Sequence, residues 1–151
     1  MSNPKYLSVD EFIARIGEDE ADQLAGTGMR DNRCIEREKI ASELIHADGV
    51  IDGYVRARYP RIFVIVPDVL KGIAHDIARY RLRLVGGQQS SMAEAIKTSF
   101  DEAMRLLRDI ADGRLVLDSN NDGEADAKAS NLVRGCNPPD RMMQALDGYL
   151  P

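Results

Sequence analysis

A chain of 151 residues is long enough to close one hydrophobic core and too short for two ordinary domains. Its 44% hydrophobic and 30% charged residues belong to a soluble globular protein and exclude a disordered polymer, whose apolar content is too low to offset chain entropy. A net charge of -5 argues against tight wrapping of nucleic acid, which depends on many lysine and arginine contacts to phosphate, while an acidic surface is compatible with DNA sliding past it.

Cys34 and Cys136 lie far apart, in no CxxC pair and beside no histidine at metal-ligand spacing, so both read as free thiols in a reducing cytosol. The opening MSNPKYLSVDEF has no apolar run behind a basic flank, and nowhere do about eighteen apolar residues follow one another. The expectation is neither a signal peptide nor a membrane span.

Ser8-Val9-Asp10-Glu11 has the S-x-x-E form of a capping box and predicts a short helix with Phe12, Ile13 and Ile16 as its apolar stripe, ended by Gly17. A second short turn follows from Glu18 to Leu24 and stops at Gly26. From about Asn32 to Arg58 the positions Ile40, Leu44, Ala47, Ile51, Tyr54 and Val55 recur at steps of three and four, one face of a long helix. Gly49 and Gly53 inside it each cost roughly 1 kcal/mol relative to alanine, which predicts a neighbouring helix packed closely against them.

Tyr59 to Val66 reads YPRIFVIV, bracketed by Pro60 and Pro67 and suited to an extended segment. Pro67 fits the first position of the next helix, with Asp68 near its positive end and Leu70, Ile73, Ile77, Tyr80 and Leu84 as its stripe up to Gly86-Gly87. Ser91-Met92-Ala93-Glu94 is a second capping box, opening a helix with Ile96, Phe100, Ala103, Leu107 and Ile110 on one face, until Gly113. The fold class is therefore all-α: a compact bundle of four to five helices over residues 1–117, with room for a short strand or hairpin. Residues 118–151 change character to a small, polar stretch and read as an extended C-terminal arm. At its tip Met142, Met143, Leu146, Tyr149 and Leu150 stand at near-helical spacing and form a candidate partner-docking patch.

Asp118, Asn120 and Asp122, followed by Gly123, match the first half of an EF-hand calcium loop. The twelfth position, where a bidentate glutamate belongs, is Ala129, so the polar-turn reading is preferred and no metal is assigned. His46 and His75 fall on different helices, with no serine or cysteine placed as their nucleophile. Asp48 and Asp52 share a helical face as an acid/base or metal pair does, but Arg56 after Asp52, and Arg79 after Asp76, explain these charges as helical ion pairs. Arginines concentrate at positions 56–61 and 78–83. Since Arg79 and Arg83 share a face while Arg81 points elsewhere, ion pairing within or between subunits is preferred over a nucleic-acid patch. No catalytic residue and no cofactor is expected.

The run Ile51-Asp52-Gly53-Tyr54 with Arg58-Tyr59, then Pro67, Leu70 and the string Asp76-Ile77-Ala78-Arg79-Tyr80-Arg81-Leu82, resembles a family of small Mu-like phage and prophage virion proteins. Residues Phe100 to Gly113 are similar to that family's last core helix, and the likeness runs from about Tyr6 to Leu117. The resemblance implies a non-enzymatic head-tail connector or head-completion adaptor in the virion neck, made in the host bacterial cytoplasm. Its implied partners are its own copies in a dodecamer ring, the portal protein, and a stopper or tail-terminator protein, with genomic DNA passing through the channel without sequence-specific binding and no membrane involved. The IFVIV insert before Pro67 and the polar DSNNDGEAD stretch depart from the family pattern. Alternatives are a stopper or tail-terminator of the neck, a small DNA-binding prophage protein resting on the arginines, and a metal-dependent enzyme resting on the carboxylates.

Overall fold

The computed structural model describes residues 3–28, 34–59, 63, 65–85 and 94–118. Among them are five helices, α1 (Val9–Ile16), α2 (Glu18–Ala25), α3 (Arg37–Val55), α4 (Asp68–Val85) and α5 (Glu94–Asp112), and a ribbon of two short strands, β1 (Gly26–Thr27) and β2 (Cys34–Ile35). The strands are antiparallel, Gly26 opposite Ile35 and Thr27 opposite Cys34. The mainly helical class read from periodicity is the class observed.

The capping box forms as its residue types require. Ser8 Oγ accepts the backbone N–H of Glu11 at 3.2 Å, and the Glu11 carboxylate accepts the N–H of Ser8 at 3.3 Å. Gly17 ends α1 at φ 84, a conformation open to glycine because it lacks a Cβ. The chain then turns at once into α2.

Helices α3, α4 and α5 make the main body, with α4 packed on both others. Glu43 early in α3 meets Arg81 late in α4, so these two helices run antiparallel. The ends of α3 and α5 lie together, where the Arg58 guanidinium sits against Gly113 and the Tyr59 hydroxyl accepts the backbone N–H of Leu117 at 2.8 Å. Ile40, Leu44, Ile51, Leu70, Leu107 and Ile110 are each wholly buried and fill the space between the three helices. Burying side chains of this size contributes roughly 1.5–3 kcal/mol apiece, which makes this interior the chief source of stability. Tyr6, Leu7, Phe12 and Leu24 extend the same core under the N-terminal hairpin of α1 and α2.

Several local expectations are corrected. The long helix starts at Arg37 rather than Asn32, because the N–H of Glu36 donates to the carbonyl of Ala25 at 2.7 Å and Cys34–Ile35 pair with the strand leaving α2. It ends at Val55, after which Arg56–Arg58 form a turn. Gly49 and Gly53 do not meet a neighbouring helix: a Cβ built on either one meets nothing within 4 Å. Both lie on the face of α3 opposite its buried stripe. In α4 the buried stripe continues through Leu82, while Tyr80 and Leu84, both expected on it, are only half-buried. Pro67 stands one residue before α4 and contributes its carbonyl to the N–H of Leu70 at 3.0 Å. Phe63 is 8% exposed within the core, but residues 60–62 and 64 of the segment expected to be extended, Tyr59 to Val66, lie outside the described residues. Ser91 to Ala93 of the second capping box lie outside them too.

Candidate functional site

Two charged clusters, both built where the N-terminal segment meets the bundle, take up Asp48, Asp52, Arg56, His75, Asp76 and the arginines of α4, which sequence reading singled out. The first runs along α4. Lys71, His75, Arg79 and Arg83 recur every fourth residue and so form one continuous stripe. Lys71 Nζ reaches Glu11 Oε1 at 3.2 Å, and the His75 ring tilts against Phe12 with centroids 5.4 Å apart. Glu20 receives three charge-assisted hydrogen bonds, from Arg79 Nε at 2.8 Å, Arg79 Nη2 at 2.7 Å and Arg83 Nη2 at 2.8 Å. Burial alone raises the Glu20 carboxyl, but the bonds and charges of Arg79 and Arg83 outweigh it and hold the group below the usual carboxylate range. Arg81 points the other way and bonds Glu43 through Nε at 2.7 Å.

The arginines of positions 78–83 are therefore committed to ion pairs within the chain, as the facing argument expected. One detail is corrected: Arg79 does not pair with Asp76. The hairpin presents Glu20 instead, and Asp76 takes a hydrogen bond from His75 Nδ1 at 2.9 Å. His75 Nε2 is buried without a hydrogen-bond partner, as is Arg83 Nε. His46 is exposed on α3, remote from His75 in the chain and on another helix.

The second cluster sits on α3. Asp52 pairs with Arg56 one turn on at 2.9 Å, as expected for a helical ion pair. Its other oxygen accepts the Tyr6 hydroxyl at 2.5 Å and Lys5 Nζ at 2.8 Å, and Lys5 Nζ also lies 4.7 Å from the centre of the Tyr6 ring. Asp48, only 7% exposed, accepts the backbone N–H groups of Lys5 at 2.5 Å and Tyr6 at 3.3 Å. The two carboxylates do share a face, yet they grip the segment ahead of α1. Burial pushes the Asp48 carboxyl above its usual range against the pull of those two N–H groups. For Asp52 burial acts the same way, but bonds from Lys5 and Tyr6 with the charges of Lys5 and Arg56 bring it below that range. Burial, reinforced by the Asp52 bond and charge and the charge of Asp48, drives the Tyr6 hydroxyl far above an ordinary phenol, so it stays a donor.

The parts contributed by Lys5, Tyr6 and Glu20 escaped sequence reading, and Glu43, counted among the helix carboxylates, was not matched to Arg81. Lys5 and Tyr6 precede the first helix in no periodic pattern, and the two glutamates looked like ordinary acidic residues on amphipathic helices. Nothing in one sequence pairs positions about forty to sixty residues apart.

Of the calcium candidates, Asp118 is half-buried at the end of the body, and Asn120 and Asp122 lie outside the described residues. The docking candidates Met142, Met143, Leu146, Tyr149 and Leu150 lie outside them as well. Among the described residues no group of three or more His, Cys, Asp or Glu side chains is placed to hold a metal, and no described helix is long and apolar enough to cross a membrane. Cys34 is a free, exposed thiol. A polar surface recess of about 300 Å³ is lined by Asn3, Pro4, Ser8, Val9, Asp10 and Arg37; the Ser8 hydroxyl there is engaged in the α1 cap and Asp10 pairs with Arg37.

No curated protein matches the chain. Residues 6–134 match the family described as Bacteriophage Mu, Gp36, a span that takes in every helix of the body and the beginning of the polar stretch after it. This chain is a phage protein and belongs to the Bacteriophage Mu, Gp36 family.

Proposed function

We propose that this protein is a non-enzymatic structural subunit of a tailed-phage particle, a head-tail connector of the adaptor or head-completion type that repeats as a ring between portal and tail. The observation that carries the reading is the family membership over residues 6–134. The charged side chains support it: the best-formed clusters are spent on holding the hairpin to the bundle, and none leaves a nucleophile, base and substrate cleft in one place. In this reading the helical body meets copies of itself, and the segment beyond Asp118, tipped by Met142, Met143, Leu146, Tyr149 and Leu150, docks on the portal or a neighbouring copy. A stopper or tail-terminator position differs only in the layer occupied.

Deletion of residues 119–151 tests this. The truncated protein is expected to keep its helical circular dichroism and cooperative unfolding while particles fail to join heads to tails. Normal infectious particles from that deletion defeat the arm assignment. Labelling the protein in intact particles and finding it away from the neck by electron microscopy defeats the connector reading itself.

A further inference from the structure

Between Glu38 and Arg56 the exposed positions of α3 are Ser42, Ile45, His46, Gly49 and Gly53, and none carries a carboxylate, ammonium or guanidinium group. The exposed side of α5 is of the ordinary solvated kind, with seven of its ten exposed positions charged. In a chain with 30% charged residues, an uncharged outward run of about three turns is not what contact with water alone selects. Ile45 stands 38% exposed on this face, and a Cβ built on Gly49 or Gly53 meets nothing within 4 Å. Alanine at either glycine makes a better helix with no clash inside the chain, so the described body gives no reason for bare backbone there. A second helix lying directly on α3 does.

The two ends of the face define what fits it. Glu38 at one end is exposed and pairs with no described residue, while Arg56 at the other bonds Asp52 and stays largely exposed. They are five full turns apart, so both stand on one line down the helix, about 27 Å from each other. A second α3 laid antiparallel along that line sets Glu38 of each copy against Arg56 of the other. The same register brings Ile45 over Gly49 of the second copy and Ala41 over its Gly53, each contact made twice by symmetry. Charge at the ends and size at the centre therefore select one alignment. Small residues at the crossing let the axes approach to roughly 8 Å, and at a shallow crossing of roughly 20° the long end side chains remain within reach of each other.

We propose that two free copies of this protein pair through their α3 helices, antiparallel about a two-fold axis that passes between Ile45 and Gly49. Such a contact is isologous and closes at two copies, so it is distinct from any contact that repeats around a ring and does not rest on the ring reading. One helix face is smaller than the about 800 Å² per partner of a standard stable complex, which makes the pair reversible: the protein is single when dilute and paired when concentrated.

The full chain carrying Arg56→Lys tests this with a carbodiimide, which joins a touching carboxylate and amine as an amide and takes up the released water as a urea. Within one chain Glu38 and position 56 are about 27 Å apart, so a linked peptide joining them comes from two copies. A link from Asp52 to the new lysine, one turn away in the same chain, reports that the lysine reacts. The Glu38 link is expected to rise with protein concentration, together with a dimer in sedimentation velocity of the unaltered chain. Gly49→Leu occupies the place of Ile45 of the second copy and is expected to abolish the dimer with helical circular dichroism unchanged. Arg56→Glu is expected to weaken pairing roughly tenfold, and Glu38→Arg added to it to restore pairing. A dimer that survives Gly49→Leu overturns the proposal. So does a chain that stays single at millimolar concentration, with the Asp52 link formed and the Glu38 link absent; the face then belongs to the chain's own C-terminal segment or to another protein. Larger assemblies that form without the Glu38 link overturn the pair and leave the ring reading standing.

Discussion

The two outward-facing glycines of α3 give the most exacting check on how the fold distributes its stability. In the interior of a helix glycine is about 1 kcal/mol less favourable than alanine, because the unfolded chain has more conformations to lose. A Cβ added at Gly49 or Gly53 meets nothing within 4 Å, so no steric cost offsets that gain. Gly49→Ala and Gly53→Ala are each expected to stabilise the isolated protein by roughly 0.4–1 kcal/mol. With no shared partner the effects should add, and the double variant gains about 1–2 kcal/mol, a rise in Tm of roughly 3–6 °C. Gly113→Ala is the opposing control. It sits at φ 76 after α5, against the Arg58 guanidinium, and the left-handed conformation alone costs a residue with a Cβ about 1–2 kcal/mol. Thermal and urea unfolding followed by far-ultraviolet circular dichroism measure all four proteins. A destabilised Gly49→Ala or Gly53→Ala refutes the open-face geometry, and a stabilised Gly113→Ala refutes the turn.

Glu20→Gln removes the charge that satisfies Arg79 and Arg83 while keeping size, and is expected to cost about 2 kcal/mol by urea unfolding, less than a fully buried pair because Arg79 remains partly exposed. Ser8→Ala deletes the helix cap of α1 and is expected to cost about 1 kcal/mol in the same assay. The acid limb of stability has contributions of both signs. Glu20 and Asp52 ionise at lower pH in the folded chain, so the stability they add is whole above the ordinary carboxylate range and is lost as pH falls through their folded values. Asp48 is shifted upward, so its contribution is whole below that range and is lost as pH rises through its folded value. Urea midpoints across the acid range should therefore fall less steeply in Glu20→Gln and more steeply in Asp48→Asn, and slopes unchanged by either substitution contradict the two assignments.

The phage assignment was legible in the string from Asp76 to Leu82 and its setting after Pro67, and the family match agrees with it. The face argument for Arg79, Arg81 and Arg83 likewise held, since helical geometry alone separates residues two apart. The Asp52–Arg56 pair one turn apart held as well, whereas several other statements about partners failed. Gly49 and Gly53 read as close packing, Asp76 and Arg79 as an ion pair, and Cys34 and Ile35 as helix. Each depended on which distant segment arrived at that place.

Sequence alone determined the helices, their buried stripes, the capping box at Ser8 and the punctuation at Gly17 and Gly113, because these depend on interactions spanning no more than about four residues, the reach of one helical turn. Only the tertiary structure decided that the acidic hairpin lies on the α4 stripe and that Asp48 and Asp52 grip Lys5 and Tyr6. Contacts between positions about forty to sixty residues apart depend on which two faces the closed core brings together, and a period in the sequence carries no record of which two faces those are.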